Sequence, residues 1–120
     1  MRMRWIDRLL SILLILGGLG HTYGVLHFYK NEHTLFWSLT ATILIFLLAA
    51  LNLLRSARRH DRPLAALAAA ASLAYFVDTL CFGRLIDNLT DFRVLLFGSI
   101  SLGLTLFGLY GVLRRAPVAG

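Results

Sequence analysis

The sequence predicts an all-α integral membrane protein, an antiparallel bundle of four transmembrane helices. Three observations lead there. Hydrophobic residues make up 58% of the 120-residue chain and charged residues 15%, against about 45–50% and about 25% in soluble domains. The apolar excess falls in four blocks of about 20 residues, the length that crosses a ~30 Å hydrocarbon core at 1.5 Å per residue. The basic residues cluster on alternate connections, as they do in multi-pass proteins. Helices are expected over about 6–29, 34–54, 64–85 and 92–113, in one membrane domain that leaves too little chain for a soluble one.

The first element is Leu9–Tyr29, free of Asp, Glu, Lys and Arg, with Trp5 and Tyr29 near its two ends as interfacial aromatics. Its opening has the outline of a signal peptide, with Gly18 and Gly20 at an A-x-A-like position. The apolar run continues through Val25–Tyr29, beyond that cut, and so reads as a span. Lys30–His33 is short enough to join only antiparallel neighbours. Thr34–Leu54 is the second span and Arg55–Pro63 the connection after it, with Pro63 suited to the first turn of a helix. Leu64–Gly83 is the third span. It contains the helix-favouring run Ala68–Ala71 and a single ionisable side chain at Asp78. After the Arg84–Arg93 connection, with Asp91 as a candidate cap, Val94–Leu113 forms the fourth span.

The formal net charge of +6 is unevenly placed. Nine basic residues, Arg2, Arg4, Arg8, Arg55, Arg58, Arg59, Arg62, Arg114 and Arg115, lie on one side of the spans. The other side has Lys30, Arg84 and Arg93, offset by Glu32, Asp87 and Asp91. The positive-inside rule therefore places the protein in the inner (plasma) membrane with both termini cytoplasmic, its basic side facing anionic headgroups. Topology accounts for the charge, and nucleic acid is not an expected partner. The lone cysteine, Cys81, permits no internal disulfide and reads as a buried structural thiol.

Each span carries a small or polar stripe at helical spacing. These are Gly17, Gly20, His21 and Gly24; Ser38, Ala41, Thr42, Ile45, Ala49 and Asn52; Ala71, Ala74, Asp78 and Cys81; and Gly98, Ser101, Thr105 and Gly108. Small residues mark helix contacts in lipid, so the stripes are expected to converge. Gly20-x-x-x-Gly24 and Ser99-x-x-x-Gly103 equally suit a homo-oligomer or a partner membrane subunit. Counted from the outer ends, His21, Thr42, Asp78 and Ser101 all lie roughly 10–12 Å deep. Asn52, near the basic end, reads as an interhelical hydrogen bond or a helix terminus.

Asp78 is the most informative residue, because a carboxylate at the bilayer centre costs roughly 2.5–3.5 kcal/mol on insertion scales. It reads as a proton carrier, cation ligand or acid/base group, or else as a buried polar contact or a side chain reaching toward Arg84. His21 is its candidate partner, with a packing hydrogen bond to threonine or a carbonyl as the other reading. The expected ligand site is His21, Thr42, Asp78 and Ser101. His27 lies about 120° around the helix from His21 and reads as an interface residue; His33 reads as a loop residue and His60 as solvated. Histidines within the spans occur only in the first, which disfavours a haem held within one chain, although a dimer could present two copies of His21. No cysteine cluster holds a metal, and no G-x-S-x-G, Walker A, H-E-x-x-H or C-x-x-C is present, so catalysis is not expected. Small four-span exporters normally keep their carboxylate in the first helix, and this first span has none.

Arg8-Leu-Leu followed by Leu16-Gly-Gly-Leu-Gly-His21-Thr-Tyr-Gly24, and Phe36–Leu54 with its Ala-Leu-Asn52-Leu-Leu ending, resemble small four-helix bacterial inner-membrane proteins, including DoxX-like ones. His21 stands where those proteins tend to have a lysine. The resemblance implies a four-helix bundle and a quinone- or redox-associated membrane subunit. From the residues themselves, the expectation is a small multi-pass protein binding a small apolar ligand or lipid at a polar site in the outer half of the bundle. A structural or accessory subunit is the first alternative and a proton-coupled transporter the second.

Overall fold

A computed structural model describes residues 2–114; Arg115, one of the nine basic residues counted above, and the side chain of Arg2 lie outside the described part. Four helices, α1 (Arg2–Phe28), α2 (Glu32–Ala57), α3 (Arg62–Leu85) and α4 (Phe92–Leu113), pack antiparallel as a bundle. All four are long and apolar enough to cross a membrane, so this is a multi-pass membrane protein.

Local chemistry starts each of the last three helices. The Asn31 side chain accepts from the His33 and Thr34 amides, that of Asp61 from Leu64, and that of Asp91 from Arg93, each satisfying amides that lack an intrahelical partner. Pro63 sits in the first turn of α3, where its missing N–H costs nothing. Beyond α3 the chain reverses through Asp87 at φ 53°, a left-handed conformation that aspartate tolerates. α1 begins before the expected boundary, at Arg2, and α2 ends after its own because Arg55 and Ser56 are buried and belong to the packed bundle.

The helices form a ring in chain order, and the backbones of α1 and α3 do not approach closely. The seams are unequal: α3 lies tightly on α4, α1 on α2 less so, and α2 meets α3 only sparsely. The close α3–α4 approach is set by Gly108. A Cβ there would lie 2.8 Å from the Ala69 Cβ and 2.9 Å from its Cα.

The expected stripes of α2 and α4 do face inward, with Thr42, Ile45, Ala49 and Asn52, and Gly98, Ser101, Thr105 and Gly108, all buried. The α3 stripe does not. Its buried face is Ala65, Ala68, Ala69, Ser72, Tyr75 and Thr79, while Ala74, Asp78 and Cys81 are exposed. Cys81 is thus an exposed thiol and not the buried one expected, since α3 turns its alanine face to α4. On α1, Gly20 is exposed, and a Cβ at Gly20 or Gly24 would meet nothing within 4 Å.

The core centres on Leu14, Ile45, Leu48, Ala49, Tyr75, Phe97, Ile100 and Leu104. Toward the basic end lies a buried polar layer. Arg55 grips Asp7 with both terminal nitrogens, one at 3.0 Å, and its Nε donates to Asn52 Oδ1 at 3.2 Å. Asn52 Nδ2 donates to Ser72 Oγ at 3.0 Å, the interhelical bond expected of it, and to Leu48 O. Around the outside, Leu16, Leu19, Ile43, Leu47, Leu73, Val77, Leu102 and Leu106 are exposed, an apolar band suited to lipid.

Candidate functional site

The sparse α2–α3 seam opens at the end opposite the basic one into a cleft of about 460 Å³. α1 contributes His21, and Tyr29 lies just past its end. α2 contributes His33, Trp37 and Ser38 from its first two turns; α3 contributes Tyr75, Asp78 and Thr79; and α4 contributes Arg93 and Phe97. Two apolar grooves flank this cleft. One, of about 410 Å³, runs down the α2–α3 seam between Leu44, Leu47, Leu51, Ala71 and Ala74, and shares Tyr75 and Asp78 with the cleft. The other, of about 710 Å³, lies between α1 and α4 against Leu16, Gly17, Gly20, Gly24 and Leu96, and shares His21, Tyr29, Arg93 and Phe97. Exposed leucines wall both grooves, so both open sideways toward lipid.

Two of the four expected residues bond directly. His21 Nδ1 lies 3.0 Å from Thr42 Oγ1. The Thr42 hydroxyl also reaches the Ser38 carbonyl at 3.3 Å; when it donates there it accepts from Nδ1–H, and Nε2 is then an acceptor. No buried side-chain nitrogen lacks a partner; Nε2, which makes no bond among the described residues, therefore reaches the surface of the clefts that His21 lines. The ring stands edge-on to Phe97, with centroids 6.4 Å apart.

Asp78 shares the cleft with His21 but makes no hydrogen bond among the described residues, and no ion pair joins it to Arg84. Ser101 is apart from both. It is fully buried, and its hydroxyl bonds the Phe97 and Gly98 carbonyls of its own helix. His21 and Asp78 thus line one space, Thr42 stands behind it and reaches it only through His21, and Ser101 packs inside α4.

Sequence reasoning did not single out the cleft's rim. Arg93, paired with Asp91 at 2.9 Å and lying over the Phe82 ring at 4.9 Å, supplies the rim with a cation. Trp37 and Tyr29 stand beside it, and His33, expected as a loop residue, also lines the cleft. Their signal was position, since all lie within a turn or two of the end of a span opposite the basic side. His27 stays outside the cleft, stacked on Tyr23. No group of three or more His, Cys, Asp or Glu gathers at metal-binding distance among the described residues. Chemically, the cleft offers the Asp78 carboxylate, the imidazoles of His21 and His33, and a rim guanidinium above apolar grooves.

Comparison with family models, curated proteins and solved structures gives no match to this chain, and none supports the DoxX-like resemblance.

Proposed function

We propose that the protein binds a small, mostly apolar ligand or a lipid in the outer half of its bundle. Asp78 and His21 Nε2 hold the polar head, Thr42 fixes the imidazole, Arg93 closes the rim, and the apolar body lies in a flanking groove. The observation that carries this reading is the continuity of the polar cleft with the α2–α3 groove through their shared Tyr75 and Asp78. A ligand entering sideways from lipid would keep its tail in apolar surroundings throughout. On this reading the membrane is the inner one and both termini are cytoplasmic, as the charge asymmetry favours. Kinship with DoxX-like proteins is a proposal resting on the α1 and α2 residues alone.

The test is native mass spectrometry of protein released from lipid, with visible absorption on the same sample. A bound mass that disappears in Asp78→Asn or His21→Ala supports the site and gives the ligand's class. A bare, colourless chain that forms a homo-oligomer or holds a partner subunit supports the accessory reading instead. One observation favours that second reading: the open space over Gly20 and Gly24 in the α1–α4 groove would admit a neighbouring helix. A proton-coupled transporter is disfavoured by the apolar core beneath the cleft.

A further inference from the structure

At the basic end, a second cleft of about 80 Å³ is lined by Arg4, Arg55, Arg58, Arg59 and Arg114, with Asp7 as its carboxylate. Asp7 is already held by Arg55 through two hydrogen bonds. The other four guanidiniums make no ion pair among the described residues. They come from three separate stretches of chain: the start of α1, the α2–α3 connection and the end of α4. Setting the membrane orientation requires only that basic residues flank the spans. It does not require them to converge, and convergence is unfavourable because like charges repel. Burial and the guanidiniums of Arg4, Arg114 and Arg8 lower the proton affinity of Arg59, and the Asp7 carboxylate only partly offsets them. A cleft built against this repulsion gains most from an anion that takes several guanidinium donors at once. Phosphate does so through paired, charge-assisted hydrogen bonds. The cleft has room for a phosphate group. At the end of the spans, it also lies at headgroup depth.

We propose that this cleft binds a single phosphate group, with Arg4, Arg58, Arg59 and Arg114 as its donors. Two sources share that chemistry: the headgroup of an anionic phospholipid and free inorganic phosphate.

The experiment uses the full chain in detergent, mixed with equimolar phosphatidylcholine, phosphatidylglycerol and phosphatidic acid, and read by native mass spectrometry. The expected result is one anionic phospholipid retained in preference to phosphatidylcholine. Arg58→Gln with Arg59→Gln should weaken retention about tenfold, from the loss of charge-assisted bonds. Arg84→Gln, which removes the same kind of charge at the opposite end, should leave retention unchanged. Arg4→Gln is a second, independent variant, and gel filtration verifies that each remains folded. Competition with inorganic phosphate separates the sources. Displacement of the lipid identifies phosphate itself as sufficient, and lipid that persists identifies the headgroup as the ligand; both support the site. Equal loss in Arg84→Gln, unchanged retention in both cleft variants, or no preference for anionic lipid overturns it.

Discussion

Asp7 and Arg55 show how much one contact contributes to this bundle. Both are buried, and their ion pair joins α1 to α2 across 48 positions of sequence. Removing one partner leaves a buried charge uncompensated, which costs about 3–5 kcal/mol. Asp7→Ala should lower stability by that amount in a denaturant-unfolding assay, while Asp7→Asn combined with Arg55→Met should recover much of the loss. Equal destabilisation by the single and double variants would contradict this account. Neither residue stood out in the sequence, because Asp7 precedes the apolar run and Arg55 looked like one more topology-setting arginine. Only the register of α1 on α2 pairs them. His21 and Thr42 were more legible, since depth alone placed them level. Thr42→Val should leave the His21 ring without its anchor at a cost of about 1 kcal/mol, seen as altered imidazole nitrogen shifts in NMR. Asp91 adds a pH dependence. The hydrogen bonds from the Arg93 side chain and backbone hold its carboxyl below the ordinary carboxylate range. Its capping contribution is therefore fully present above the unfolded-state value and is lost as pH falls through the depressed folded value. Amide exchange at the start of α4 should accelerate only in strong acid.

Among the elements, α2 and α3 differ in how well their faces could be read. Thr42, Ile45, Ala49 and Asn52 repeat every three or four residues between larger side chains, so one face of α2 was distinguishable. In α3 the run Ala68–Ala71 places a small residue on every side of the helix, and periodicity cannot choose among them. Asp78 was therefore assigned to the packed face when it borders a groove. What chooses the face is the fit of Ala69 to Gly108 on α4. Gly108→Ala would press a methyl group into the Ala69 backbone, and overpacking of this kind costs about 1–3 kcal/mol. Gly20→Ala faces open space and should be neutral in the same unfolding assay. A neutral Gly108→Ala would mean that the α3–α4 seam yields more readily than its geometry implies.

For the molecule as a whole, the two polar regions are kept apart. Leu14, Ile45, Leu48 and Leu104, all nearly or fully buried, close the bundle between the Asp78 level and the Asn52–Arg55 layer. Protein in vesicles should show no proton flux under a pH gradient, and flux abolished by Asp78→Asn would revive the transporter reading. Leu104→Ala should cost about 2–5 kcal/mol by leaving a cavity in this layer. The number of spans, their order and the meeting of His21 with Thr42 were legible in the sequence. The cleft itself was not, because its volume depends on how far α2 stands from α3, and residue spacing along one helix carries no information about the distance to another.

The inequality of the seams also bears on how the chain is assembled. α1 with α2, and α3 with α4, are each a self-contained hairpin, tied to the other covalently only through residues 58–61. His21 and Thr42 belong to the first hairpin and Asp78 to the second. Each hairpin has two spans and enters and leaves the bilayer on the same side, so it can insert by itself. The two halves, expressed as separate polypeptides, should find each other in the membrane, and the cleft opposite the basic end would come into being only at that encounter.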